Sequence, residues 1–122
     1  SMLLGRTTVG ENCEIGPGST IRDSQVGDNC RVTASFLEKS IMEEGVDVGP
    51  FSHLRSGAYL EAGVHIGNFV EVKESRVSAG SVMGHFGYVG AASIGSNVNV
   101  GACMVTFNYY GKDNHGTVIE EG

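Results

Sequence analysis

A chain of 122 residues with a formal net charge of −6 has room for one domain and lacks the basic excess that nucleic acid or an acidic membrane would demand. Glycine is abundant at 19 and proline scarce at 2, while the aliphatic residues are regularly placed, which excludes a disordered composition. No apolar run approaches the roughly 18 residues of a membrane span. Cys13, Cys30 and Cys103 form no CxxC pair, so they read as reduced thiols of a cytoplasmic protein. No signal peptide is expected, and Ser1-Met2 reads as a scar ahead of a starting methionine.

Along the chain, Leu4, Val9, Ile15, Ile21, Val26 and Val32 recur every five or six residues. The pattern blurs through SFLEKSIMEEG and resumes at Val48, Leu54, Leu60, Ile66, Val72, Val77, Met83, Val89, Ile94 and Val100. Neither the helical period nor strand alternation produces such steps, whereas a solenoid does. Three steps make a three-sided coil of 17 or 18 residues, each side a short strand and each corner a tight turn. Glycine follows the aliphatic residue at Gly5, Gly10, Gly16, Gly27, Gly49, Gly67, Gly90, Gly95 and Gly101, where crowded or left-handed backbone would reject a side chain. Four residues past the aliphatic, small or β-branched residues such as Cys13, Ser19, Cys30, Ala58 and Val64 would fill the narrow interior. The expected fold is all-β: a single parallel β-helix domain over residues 1–122, of roughly six to seven triangular coils and about 30 Å tall.

Residues 17 or 18 apart should therefore stack. In the slot that favours glycine, Arg55 and Lys73 stand one above the other. Stacked like charges cost a few tenths of a kcal/mol, roughly, in a sheet. A bound anion such as a phosphate would reverse that sign. Two solvated charges are the plainer alternative, as Arg22 and Glu61 occupy equivalent slots. The same spacing stacks His53, Glu71 and Tyr88, and puts Asn68 beneath His85. Such a column beside two cations suits a sugar phosphate, and equally a solvated polar face. His53, His65, His85 and His115 include no close pair, so no metal site is expected.

From about Val48 onward, the stretches VGPFSHLRSG, IGNFVEVKES, GHFGYVG, IGSNVNVGA and TFNYYGKDNHGTVI follow one another in order. Together they resemble the acetyltransferase half of the bifunctional N-acetylglucosamine-1-phosphate uridyltransferase/glucosamine-1-phosphate acetyltransferase family. The resemblance covers about 75 residues, and the opening 40 match only as generic coils. It implies a left-handed hexapeptide-repeat β-helix, a homotrimer with sites between subunits, and acetyl-CoA-dependent N-acetylation of glucosamine-1-phosphate on the route to UDP-N-acetylglucosamine, a cell-wall precursor. Arg55 and Lys73 fall on the family's sugar-phosphate ligands. His85 falls on its general base and Glu71 on the carboxylate that orients the base. Tyr88, Asn99 and Asn108 fall on amino-sugar contacts, with Tyr109 next to where the acetyl group is handled.

These residue types suit the chemistry. An amine attacking a thioester must lose a proton, and histidine is a competent base near neutral pH. Two positions depart from the family pattern: Tyr110 replaces an aspartate and Asn114 a lysine. The expectation from the end at Gly122 is that the further coils and arm supplying much of the acetyl-CoA site are absent, as is the uridyltransferase half. Three readings remain: a sugar-phosphate N-acetyltransferase or a piece of one; a non-catalytic trimerising module that binds sugar phosphate; and a hexapeptide acyltransferase for another amino sugar.

Overall fold

In a computed structural model, residues 1–106 and 117–120 are described, together with the backbone of 109–110 and 113–114. The chain winds into a parallel β-solenoid of about six turns, with no helix among the described residues. None of those residues therefore forms a helix long and apolar enough to cross a membrane.

Most strands are two or three residues long, as a five- or six-residue side requires. The coil that starts at Phe36 is typical: Phe36–Glu38, Ile41–Met42 and Asp47–Val48 lie on three successive faces. Each strand pairs in parallel with its counterparts in the coils above and below. On the first face Ile21, Leu37, Leu54, Val72 and Val89 align. On the second, Val9, Val26, Met42, Leu60, Val77, Ile94 and Ile119 do so. The third aligns Ile15, Val32, Val48, Ile66, Met83 and Val100. These three columns point inward and form one core, fully buried from Val32 to Val89 apart from traces at the two methionines. Burying aliphatic area this way is the main favourable contribution, and no coil achieves it without its neighbours.

The stretch SFLEKSIMEEG is a regular coil, with Leu37 and Met42 in the core columns. Its periodicity is obscured by two five-residue steps in succession, Val32 to Leu37 to Met42. Glutamates, Glu38 and Glu43, then stand in the slot that elsewhere favours glycine.

The slot glycines serve mainly close approach. A Cβ on Gly67 would run into the carbonyl oxygen of Gly84 in the next coil, although Gly67 itself is not left-handed. Apart from Gly49, which is at φ 106°, the left-handed residues form three vertical columns, one per corner. Asn12, Asn29, Gly45, Gly63, Gly80 and Asn97 make one, all of them types that adopt this conformation at low cost. A second runs through Gly5, Asp23, Lys39, Gly57, Glu74 and Ala91. The third runs Gly18, Ala34, Phe51, Phe69, Phe86 and Cys103. At this third corner the pairing continues around the turn in two coils, so His65–Lys73 and Val82–Gly90 are nine-residue strands that bend at Phe69 and Phe86 and join the third face to the first. Ser52, almost fully buried, pins the corner by accepting from the Val70 amide at 3.1 Å and donating to the Gly67 carbonyl.

Candidate functional site

Leu54 and Val72 face the core, so their neighbours His53, Arg55, Glu71 and Lys73 face outward on the first face. Register puts His53 against Glu71, and Glu71 against Tyr88. It likewise puts Glu38 level with Arg55, next to the Leu37–Leu54 pair. The bonds run across this ladder on the diagonal. Arg55 Nη1 donates to Glu71 Oε2 at 2.8 Å, and His53 Nε2 lies 3.1 Å from Glu38 Oε1. The hydrogen bond it donates to Glu71 raises the Arg55 pKa above its ordinary value, with the carboxylate's charge adding to the effect. Lys73, stacked next to Arg55, forms no ion pair among the described residues.

Beside this ladder a cleft of about 550 Å³ opens along the third corner. Its polar floor is His53, Glu71 and Tyr88. Its wall is apolar: Phe51, Phe69 and Phe86, with Cys103 and Val105. The phenylalanines stack ring on ring, Phe51 to Phe69 at 5.6 Å and Phe69 to Phe86 at 6.5 Å. They are 58 %, 58 % and 62 % exposed, so they contribute little to the core. Each is also held at positive φ, a conformation that costs a bulky residue about 1–2 kcal/mol. Backbone strain and exposed aromatic surface coincide at this corner, and such strain concentrates at functional sites.

The residues singled out from the sequence divide between two faces. Arg55, Glu71, Lys73 and Tyr88 lie on the first face, at or beside the cleft. His85 precedes the corner residue Phe86 and is paired in register with Asn68 on the third face. It is exposed, does not line the cleft, and has no hydrogen-bond partner among the described residues. Asn99 is on that same third face, paired with Val82, and is also exposed. Within one chain Glu71 is bonded to Arg55, and the corner separates it from His85. Asn108 lies outside the described residues. The backbone of Tyr109 pairs with Asn114 in a short antiparallel hairpin, and its side chain lies outside them too.

No family model matches the chain. Comparison with curated proteins gives similarity along its whole length. It is 49 % identical over 122 residues, all of this chain, to the bifunctional protein GlmU of Thermotoga petrophila. It is 48 % identical over 117 residues to that of Enterococcus faecalis, and 49 % identical over 121 residues to that of Exiguobacterium sibiricum. The chain is related to GlmU. It spans about a quarter of the length of these relatives, 26–27 %. The likeness to GlmU includes the opening coils, which in the sequence match only as generic repeats.

Sequence reasoning missed the phenylalanine wall and Glu38. Phe51, Phe69 and Phe86 are spaced by 18 and 17 residues, so the coil length itself could have found them. Glu38 sits in the stretch whose periodicity is blurred.

Proposed function

We propose that this chain handles the sugar-phosphate substrate of an acetyl-CoA-dependent N-acetyltransferase, with glucosamine-1-phosphate as that substrate, on the route to UDP-N-acetylglucosamine. The observation that carries the reading is the stacked pair Arg55 and Lys73, set directly beside the cleft floor of His53, Glu71 and Tyr88. Two cations in adjacent coils suit a phosphate, which accepts several charge-assisted hydrogen bonds at once. The sugar ring then extends along the strand toward Glu71 and Tyr88. His85 would act as general base, taking the proton from the attacking amine as the carbon–nitrogen bond forms. The carbon–sulfur bond of the thioester breaks in return, and the departing thiolate takes up a proton and leaves as the free thiol.

Acetyl-CoA would supply the acetyl group as a thioester. The uncharged phenylalanine wall fits the pantetheine arm of that co-substrate, and this is the extent of the fit among the described residues. His85 and Asn99 face away from the cleft of their own chain, so a complete site needs a second copy that brings its third face against the first face of its neighbour. A closed ring of three such contacts is the homotrimer implied by the resemblance. The net charge of −6 supports a protein that works without nucleic acid or a membrane surface, and the free thiols Cys13, Cys30 and Cys103 favour the cytoplasm.

One observation favours a second reading. Glu71 is committed to Arg55, and His85 has no carboxylate behind it among the described residues. A module that binds hexosamine phosphate without turnover would be built the same way. Mass spectrometry separates the two. Incubation with glucosamine-1-phosphate and acetyl-CoA should yield N-acetylglucosamine-1-phosphate, and His85→Ala should abolish the product while sparing sugar-phosphate binding. Binding without product supports the module. Equal loss of binding and product in His85→Ala would make that histidine structural.

A further inference from the structure

We infer that His53, held by Glu38, is a further substrate-binding residue of the cleft: it accepts a hydrogen bond from a hydroxyl or ammonium group of the amino sugar. This rests on the sugar-phosphate reading above and adds to it a residue and a bond.

The geometry of the imidazole carries the inference. Glu38 Oε1 lies 3.1 Å from Nε2. An ionised carboxylate can only accept, so Nε2 carries the proton of this bond and Nδ1 of the neutral ring is left as an acceptor. The ring is fixed on a second side, with its edge set against Phe36 at a centroid distance of 5.1 Å and an interplanar angle of 70°. Nδ1 has no partner among the described residues, and His53 lines the cleft. The side chain is 39 % exposed, open enough to meet a ligand and covered enough to hold its orientation.

Position supplies the rest. His53 and Arg55 flank the core residue Leu54, two residues apart, and project from the same face, at about 6.6 Å between their Cα atoms. A phosphate held at Arg55 and Lys73 therefore leaves a sugar ring extending along the strand over His53. The diagonal pairing keeps the two functions separate. Glu38 is level with Arg55 but holds His53, while Glu71 is level with His53 but holds Arg55. Glu38 is thus a positioning residue for the imidazole and does not compete for the cation at the phosphate end. His65 is a control within the molecule. Its Nδ1 lies 3.1 Å from Asp47 Oδ2 in the same kind of pair, but on the third face and away from the cleft.

The test uses the intact chain, ¹⁵N-labelled at histidine, titrated with glucosamine-1-phosphate and separately with inorganic phosphate. The His53 nitrogen signals, assigned by their loss in His53→Phe, should show an Nε2–H ring in the free protein, and Nδ1 should shift on adding glucosamine-1-phosphate. His53→Phe keeps a ring against Phe36 and should bind glucosamine-1-phosphate about tenfold more weakly, with inorganic phosphate unchanged. Glu38→Gln should abolish the tautomer preference and give a smaller loss with the same ligand selectivity. His65→Gln should bind both ligands like the wild type. An unmoved Nδ1 signal, unchanged affinity in His53→Phe, or equal loss for both ligands overturns the inference while the sugar-phosphate reading stands. A wild-type chain that does not bind glucosamine-1-phosphate overturns both.

Discussion

Phe69→Gly separates a residue kept for packing from one kept for function. Phe69 is 58 % exposed at φ 56°, between Phe51 and Phe86 at the third corner. Relief of the left-handed backbone should stabilise the folded chain by about 1–2 kcal/mol. Glycine's freedom in the unfolded chain opposes this by about 0.5–1 kcal/mol. The lost stacking against Phe51 opposes it by a further 0.5–1.5 kcal/mol, roughly. The three contributions nearly cancel, so the isolated chain should change by less than about 1 kcal/mol. A core phenylalanine truncated to alanine would lose about 3–5 kcal/mol. Urea unfolding at two protein concentrations is the assay. If copies meet through this corner, the wild type should unfold at a higher urea midpoint when more concentrated, because assembly stabilises by mass action. Phe69→Gly should match the wild type at high dilution and lose the concentration dependence. A loss above about 2 kcal/mol at high dilution would refute the reasoning, since it would make the wall part of the core after all.

Two other expectations are simpler to state. Lys73→Ala should weaken glucosamine-1-phosphate binding about tenfold in a titration, with an unchanged melting curve, because Lys73 points outward from a strand whose core residue is Val72. Unchanged binding would remove the lysine from the anion site. Glu61 tests the second face, where Arg76 Nε donates to its Oε2 at 2.6 Å and the Ala79 amide to its Oε1 at 3.0 Å. The hydrogen bond from Arg76 lowers the Glu61 pKa. A lowered folded pKa contributes stability that is present above the unfolded value, about 4.3, and is lost as pH falls through the folded one. Glu61→Gln should therefore be less stable than the wild type at pH 7 by urea midpoint, and the gap should close in strong acid. A gap that persists at low pH would mean the glutamine disturbs packing instead.

The fold was legible because the coil repeats one physical requirement. Each side must bury one aliphatic residue, and a five- or six-residue step is the only way to return to the core. Val48, Leu54, Leu60 and Ile66 follow that rule, and the structure buries all four completely. Leu37 and Met42 obey it too, but two short steps in succession and the glutamates behind them hid the pattern. The first of the series departs from the expectation: register puts Leu3, not Leu4, against Ile21 of the core column. Leu3 is largely exposed because the end coil lacks a neighbour on one side, while Leu4 stands level with Arg22. The left-handed phenylalanines were not legible from residue type. Glycine and asparagine announce that conformation and phenylalanine does not. Only the neighbouring coils, through bonds such as the Phe69 amide to the Phe51 carbonyl at 3.0 Å, hold them in it.

For the candidate site, spacing yields the columns but not the bonds. The ruler of 17 or 18 residues correctly aligned His53 with Glu71 and placed Asn68 beneath His85. It could not foresee that Glu71 bonds diagonally to Arg55, because side-chain reach and competition between charges decide that choice. A column is also a statement about one face, and sequence distance says little about faces near a corner. His85 and Tyr88 are three residues apart, yet Phe86 turns the chain between them, so one lies on the third face and the other on the first. Any chemistry that needs both His85 and the cation pair must bridge that corner. With strands paired on both sides of Phe86, and the stacked corner of the adjacent coil at Phe69 fixed from within by Ser52, bending the chain would break the core's register. Bringing up a second copy breaks nothing, so if His85 is the base, the group it serves is bound by the neighbouring chain.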